Sequence, residues 1–362
     1  MSRSAHVRTP VPVACVEGIG RRFKGPVTTA EIVDKEYLEG AKNAIRVCLN
    51  IQPHEKVTVI TDVVSQDIAA SLIAEIEAVG APVNVFVLED HASRPLAHLP
   101  SVIAADMETS QVSIFCAKAQ QNELLSRMEM TDIVNRRKMR HAHMVNISRD
   151  IMLQGMRADF QAVDAISKKV IAIVTPAKSI RCTTAAGSDF TATMNPNYRW
   201  IKTSGLISPE KWGNLPGGEV FTTPGEVNGT FVIDGVVGDY LCEKFGNLKD
   251  TPLTVQIEGN RLVSAESSNQ ELRDDFWKYT HTDENSDRVG EFAIGTNIQL
   301  QQVIGQILQD EKFPGIHIAF GNPYGAHTGA DWYSSTHIDV VGTRFDIVVD
   351  DVPLMKAGKF LI

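Results

Sequence analysis

The pattern of apolar and polar positions from Pro53 predicts alternating strands and helices. The sequence there reads "PHEKVTVITDVVSQDIAASLIAEIEAVGAPVNVFVLED". Its apolar, β-branched run at 57–61 predicts a strand, and the run at 83–88 predicts another. Between them, the helical spacing at 66–79 predicts a helix that ends at Gly80. A strand, a helix and a strand in this order predict a βαβ unit with parallel strands.

The same alternation continues to about residue 175. The further segments are "QVSIFCA" (111–117), a polar helical stretch near 120–130, "AHMVNIS" (142–148) and "AVDAISKKVIAIVT" (162–175). We therefore predict an α/β domain with a parallel, Rossmann-like sheet over residues 1–175. A dinucleotide is not expected, because "GIGRRFKG" at 18–25 is no G-x-G-x-x-G turn and follows no convincing strand.

After residue 176 the pattern changes to short β-like runs separated by Gly, Pro, Asn and Asp. These runs include "GSDFTATM", "GTFVIDGVVGDY", "TPLTVQIEGNRLVSAE", "GIHIAFGN" and "THIDVVGTRFDIVVDD". Such spacing predicts a second, β-rich α+β domain over residues 176–362. We therefore expect a two-domain α/β protein.

Composition narrows the class of protein. Of the 362 residues, 43% are hydrophobic and 22% are charged, as in soluble globular proteins. The formal charge of −9, without a Lys/Arg block, gives no reason to expect a nucleic-acid partner. No uncharged apolar run reaches about 18 residues, so neither a membrane nor a secretory route is expected and the cytoplasm is the default. The five cysteines are scattered and odd in number, which predicts reduced thiols.

Half of the ten histidines stand in contexts that do not favour metal binding. His6 lies in an N-terminal arm, and His91 and His98 follow a predicted strand. His141 and His143 follow the basic run "NRRKMR", a stretch that we expect to be solvated. We interpret these five as surface or structural residues.

In the last third of the chain, acidic and imidazole side chains recur on the predicted strands. Glu219 lies in "NLPGGEVFTTP", Glu291 in "VGEFAIGTN" and His317 in "GIHIAFGNPYG". His337 and Asp339, in "STHIDVVGTRFDIVVDD", are two residues apart, so on a strand both point to one face. Such a pair costs free energy unless it is hydrogen-bonded, coordinated or solvated. Coordination of Zn²⁺, Co²⁺, Mn²⁺ or Fe²⁺ and simple hydrogen bonding both stay open at this point.

Taken in order, these segments resemble the signature segments of the thermophilic M29 metallo-aminopeptidases, a family that includes leucyl aminopeptidases. The resemblance begins with "GSDFTA" and spans residues 187–358. It departs from the family in two respects. The chain is shorter than typical aminopeptidases of the family, and the stretch between His317 and His337 is compressed.

The resemblance implies a dinuclear site and makes residues 176–362 the metal-binding, catalytic domain. Five side chains would bind a pair of divalent ions, Zn²⁺, Co²⁺ or Mn²⁺: Glu219, Glu291, His317, His337 and Asp339. Glu291 would bridge the two ions at a separation of about 3.5–4 Å. Tyr324, which matches the family's site tyrosine, would donate a hydrogen bond to the developing oxyanion. Glu226 or Glu219 would transfer the proton to the leaving amine.

A second branch of the same superfamily offers an alternative function. The chain also resembles the mononuclear iron 2,5-dihydroxypyridine 5,6-dioxygenases, which share "AGSDF" and the His-x-Asp segment. One Fe²⁺ would then be bound by two histidines and one carboxylate, two of them His337 and Asp339. The first histidine expected in the "IGTN"-like segment is replaced by Ala293 or by its neighbour Glu291, which counts against ring cleavage.

Three functions therefore stay in competition. The favoured one is an aminopeptidase-type hydrolase acting on a peptide or small-molecule amide, and the resemblance implies that it is a homodimer. The second is the iron dioxygenase. The third is a non-catalytic or assembly role on an inherited scaffold, which an inability to bind divalent metal would favour.

Overall fold

The computed structural model describes residues 33–238 and 240–362. His6, Cys15 and the segment 18–25 lie outside these residues. None of the described helices is long and apolar enough to cross a membrane.

The described residues form helices and strands with the following bounds. The helices are α1 (Leu38–Lys42), α2 (Gln66–Val79), α3 (Ser101–Met107), α4 (Leu124–Arg137), α5 (Arg149–Leu153), α6 (Phe160–Val174), α7 (Tyr240–Phe245), α8 (Gln270–Tyr279), α9 (Ile307–Asp310) and α10 (Gly325–Thr328). The strands of the first half are β1 (Val57–Thr61), β2 (Val83–Val87), β3 (Val112–Cys116) and β4 (Arg140–His143). Those of the second half are β5 (Ser179–Thr183), β6 (Asp189–Thr193), β7 (Ile201–Thr203), β8 (Gly213–Asn214), β9 (Glu219–Thr222), β10 (Glu226–Ile233), β11 (Leu253–Glu258), β12 (Arg261–Ser267), β13 (Val289–Gly295), β14 (Gly315–Gly321), β15 (His337–Thr343), β16 (Asp346–Val349), β17 (Val352–Lys356) and β18 (Lys359–Phe360).

The first half of the chain forms a parallel sheet, here called sheet A, with the order β2-β1-β3-β4-β8. All of its pairs are parallel, which confirms the predicted α/β fold class. Helix α2 has the bounds predicted from the sequence and ends because Gly80 adopts a left-handed conformation with φ +84°. The predicted strand at 142–148 is displaced, since β4 covers Arg140–His143.

The second half forms two largely antiparallel sheets. Sheet B has the order β12-β11-β10-β6-β5-β16-β17-β18, and sheet C has the order β15-β14-β13-β9-β7. The β-rich character predicted for residues 176–362 is therefore confirmed. The predicted boundary near residue 176 falls between α6 and β5, although β8 returns from the second half to extend sheet A.

The core of the second half lies between sheets B and C. At its centre Phe190 of sheet B has ring-centroid distances of 5.2 Å to Phe231, 6.0 Å to Phe345 and 6.5 Å to Phe292 of sheet C. Alternate residues of the central sheet C strands, among them Ile318 and Phe292, belong to the same buried cluster. One face of sheet C thus packs in the apolar core, and its other face can carry polar side chains.

The structure corrects one expectation about the histidines. His141 and His143 are not solvated, since they are buried in β4 at 0% and 7% exposure. The Nδ1 of His141 is 2.8 Å from the Ser113 hydroxyl, and its Nε2 is 3.2 Å from the Nδ1 of His143. Burial lowers the pKa of His141 to about 3, so the ring stays neutral. Cys48, Cys116 and Cys182 are free and buried, as predicted, and Cys242 is buried as well.

The packing between sheets B and C generates a stability prediction. Phe292→Ala is expected to lower the free energy of unfolding by about 3–5 kcal/mol, because it leaves a cavity beneath the central strands of sheet C. Urea unfolding followed by circular dichroism measures this change. Val263→Ala, at a position 43% exposed on β12, serves as the control and should cost less than about 1 kcal/mol. Equal losses in the two variants would contradict the inter-sheet core.

Candidate metal centre

The strand register of sheet C places the predicted ligands on one face. Ala319 of β14 lies opposite Glu291 on one side and Asp339 on the other, and directly paired residues point to the same face. His317 is two residues before Ala319, and His337 is two residues before Asp339, so both imidazoles share that face. The face lies opposite the apolar face that packs on sheet B.

Glu219 joins the other ligands from the next strand. It pairs with Gly295 of β13 on one side and with Thr203 of β7 on the other. The Thr203 hydroxyl donates a hydrogen bond of 2.7 Å to Glu219 Oε1. The neighbouring strands thus fix both the position of Glu219 and the orientation of its carboxylate.

The five side chains form two overlapping groups in which ligand atoms lie within 4.8 Å of one another. The first group is Glu219, Glu291 and His317, and the second is Glu291, His337 and Asp339. His317 Nε2 lies 3.4 Å from Glu219 Oε2 and 3.2 Å from Glu291 Oε1. His337 Nε2 lies 3.8 Å from Glu291 Oε2 and 3.4 Å from Asp339 Oδ1. Glu291 therefore stands between the two imidazoles and presents one oxygen to each.

The electrostatics of the cluster favour bound cations. Burial lowers the pKa of His337, but the carboxylates of Asp339 and Glu291 outweigh it and raise that pKa to about 10. Burial also raises the pKa of Asp339, whereas the charge of His337 outweighs it and lowers that pKa. Without metal, the imidazoles would have to be protonated to balance the buried carboxylates. A divalent ion supplies the same positive charge.

The distances between donor atoms fit a divalent ion. Two ligand atoms that each lie about 2.1 Å from a tetrahedral ion are about 3.4 Å apart. In the cluster, the distances from each imidazole Nε2 to its neighbouring carboxylate oxygens are 3.2 to 3.8 Å and bracket this value. Within the described part of the chain, the Nδ1 of His317 is buried without a hydrogen-bond partner, and its Nε2 is the atom directed at the carboxylates. Carboxylate and imidazole donors are those that Zn²⁺, Co²⁺ and Mn²⁺ accept.

Asn322 orients both His337 and Tyr324. Its backbone carbonyl lies 2.8 Å from His337 Nδ1, and a carbonyl can only accept, so Nδ1 carries a proton. Nε2 is therefore the nitrogen that a metal ion would bind, in place of its proton. Its side-chain oxygen accepts a 2.9 Å hydrogen bond from the Tyr324 amide. The Tyr324 ring lies 4.2 Å from the His337 ring and is 45% exposed. Tyr324 thus lies at the solvent side of the cluster, in a left-handed conformation with φ +48°.

The structure does not bring Glu226 to the cluster. Glu226 is exposed at the start of β10 in sheet B, where its carboxylate accepts a 2.6 Å hydrogen bond from the Asn228 amide. Its spacing from Glu219 in the sequence gave no indication that the two residues lie on different sheets.

Two charged residues at the cluster, Glu311 and Lys312, were not predicted from the sequence. Lys312 Nζ lies 2.8 Å from Glu219 Oε1 and also pairs with the Glu311 carboxylate. Burial raises the pKa of Glu311 to about 8, and the nearby charges of Asp339 and Glu219 act in the same direction. In "DEKFPG" the two residues read as a solvated turn, and no local signal indicates that they are buried.

A mixed α/β fold with a buried cluster of carboxylates and imidazoles is typical of enzymes that depend on divalent metal. The chain belongs to the M29 family of thermophilic metalloproteases, whose family model matches residues 156–343. The family resemblance predicted from the sequence motifs is therefore confirmed, and with it a metal-dependent peptidase class.

Two solved structures share the fold over most of their length. The 2,5-dihydroxypyridine dioxygenase from Pseudomonas putida KT2440 is 16% identical, with a TM-score of 0.66 over 93% of this chain and 98% of its own. Wild-type AmpT from Thermus thermophilus is 17% identical, with a TM-score of 0.66 over 91% of this chain and 99% of its own. No curated protein sequence matches the chain. At such identities the likeness establishes the fold alone.

The shared position of Glu291 generates a prediction about metal binding. Glu291→Gln removes a charge from both ligand groups, so affinity for Zn²⁺ or Mn²⁺ is expected to fall by at least about tenfold. Elemental analysis after dialysis and calorimetric titration measure the loss. Glu266→Gln, an exposed change on β12, is the matched control and should bind metal like the wild type. Unchanged metal content in Glu291→Gln would contradict the proposed centre.

Proposed function

We propose that the protein is an aminopeptidase-type hydrolase that removes N-terminal residues from peptides, or cleaves related amides, at a dinuclear metal site. The observation that supports this proposal is the position of Glu291, whose two oxygens face different imidazoles. A carboxylate placed in this way suits a bridge between two ions. The M29 family provides the peptidase chemistry.

Bound metal and the residues around it would have distinct roles in the reaction. Bound Zn²⁺, Co²⁺ or Mn²⁺ would polarise a substrate carbonyl and lower the pKa of a water molecule. Glu291 would fix the separation of the two positions, and Asn322 would keep the Nε2 of His337 directed at them. Tyr324, at the solvent side, would donate a hydrogen bond to the oxygen of the carbonyl as its negative charge develops. Glu226, which is exposed on sheet B, would take no part.

The iron dioxygenase is the second candidate, supported by the shared fold of the 2,5-dihydroxypyridine dioxygenase. Its two-histidine, one-carboxylate site would have to be assembled from His317, His337 and a carboxylate. In the described residues, however, each ligand group contains one imidazole and two carboxylates. Ala293, directly opposite His317, offers no ligand. The geometry therefore favours hydrolysis.

Homodimeric assembly and a cytoplasmic location stay predictions from the sequence. A metal-free protein that binds none of Zn²⁺, Co²⁺, Mn²⁺ and Fe²⁺ would instead favour the non-catalytic role.

Activity on peptides separates the functions. Protein loaded with Zn²⁺, Co²⁺ or Mn²⁺ is expected to release the first residue of short peptides and to leave N-acetylated peptides of the same sequence intact. Amino-acid release measured by mass spectrometry checks this, with Glu291→Gln as the inactive control. If metal-replete protein is inert on a broad peptide panel, and the iron-loaded form consumes oxygen with dihydroxypyridines, the hydrolase proposal fails.

Tyr324→Phe tests the proposed oxyanion contact. Loss of the phenol hydroxyl is expected to lower kcat by about 10²–10³-fold, with little change in KM, because the contact forms as charge develops. Metal content should stay at the wild-type value, since the ring still packs on His337. Tyr240→Phe, on α7, provides a control for removal of an exposed tyrosine hydroxyl. An unchanged kcat in Tyr324→Phe would exclude this role.

A further inference from the structure

Lys312 introduces a fixed positive charge into the candidate metal centre. Its side chain is 1% exposed, and its Nζ lies 2.8 Å from Glu219 Oε1. The backbone fixes the position, because the Asn297 amide donates a 3.0 Å hydrogen bond to the Lys312 carbonyl. Gly295 permits this close approach, since a Cβ there would lie 1.9 Å from the Phe313 carbonyl oxygen.

This lysine makes the two ligand groups different. In the first group, Glu219 Oε1 accepts hydrogen bonds from both Lys312 and Thr203. Only Glu219 Oε2 remains directed at His317, at 3.4 Å. In the second group, the ion-pair partner of Asp339 is His337, a side chain that can itself bind the metal. The first position therefore has a carboxylate ligand in direct contact with Lys312. In the second position the charge of Lys312 acts on Asp339 only from a greater distance, and its effect on the Asp339 pKa is smaller than that of His337.

We propose that Lys312 makes the two metal positions unequal in affinity. The position formed by Glu291, His337 and Asp339 fills first, and the position formed by Glu219, Glu291 and His317 binds at least about tenfold more weakly. The physical reason is that a buried ammonium neutralises Glu219 and repels a dication, with little screening by solvent. This inference rests on the proposed dinuclear site and assigns Lys312 as a positioning residue that sets metal occupancy.

The test is calorimetric titration of the metal-free protein with Mn²⁺ near neutral pH, with electron paramagnetic resonance to distinguish single ions from coupled pairs. Wild type is expected to bind in two steps, with single-ion spectra at the first equivalent and coupled spectra only near saturation. Lys312→Met should tighten the weaker step at least about tenfold and leave the tighter step within about threefold. Lys312→Arg, which keeps the charge, should keep the wild-type inequality.

The outcomes distinguish this inference from the proposed function. Two equal steps in wild type, or a weaker step that Lys312→Met leaves unchanged or weakens further, would overturn the inference while the dinuclear hydrolase stands. Binding of one ion or none at saturation would overturn both. Circular dichroism verifies the fold of each variant.

A second variant keeps the test independent of whether Lys312→Met folds. Asp339→Asn retains Lys312 and alters only the second ligand group, so the tighter step should be lost and the weaker one retained. Loss of the weaker step, with the tighter one intact, would overturn the inference.

Discussion

The alternation of side chains across sheet C is the constraint on which the rest of the molecule depends. Each central strand has one face in the apolar core with sheet B, so its remaining side chains must share the opposite face. Antiparallel pairing then brings Glu291, Asp339 and His317 together from three different strands. A one-residue shift in register would move these charged groups into the core, so the core that stabilises the sheet also fixes the register of the site.

Concentrating carboxylates in a buried place costs free energy, and the structure offsets that cost in several ways. The Thr203 hydroxyl and the Lys312 ammonium satisfy Glu219, while the imidazoles lie between the remaining carboxylates. Bound divalent ions would complete this balance of charge. The same groups that make the fold costly without metal are the ones that would provide its affinity for metal.

Much of this arrangement could be predicted from the sequence, because it depends on the local spacing of apolar and polar residues. The strands and helix of the first βαβ unit follow from spacing, and the His-x-Asp pair follows from the two-residue repeat of a strand. Contacts between distant segments could not be predicted in this way. The burial of Lys312 depends on the approach of its backbone to Gly295. The position of Glu226 on sheet B could not be predicted either, because sequence proximity to Glu219 does not report a change of sheet.

The predicted metal ligands and Tyr324 lie on different kinds of structure, and this difference has a consequence for how such proteins diverge. The predicted metal ligands lie on strands whose opposite faces are tightly packed, whereas Tyr324 begins a short turn of helix beside a loop. Insertions or substitutions in the loop beside Tyr324 can change the shape of the entrance to the candidate site without disturbing the strands. A fold built in this way can change what it admits during evolution, while the chemistry beneath changes only when a ligand on a strand is replaced. Proteins that share this architecture can therefore differ in substrate long before they differ in metal chemistry.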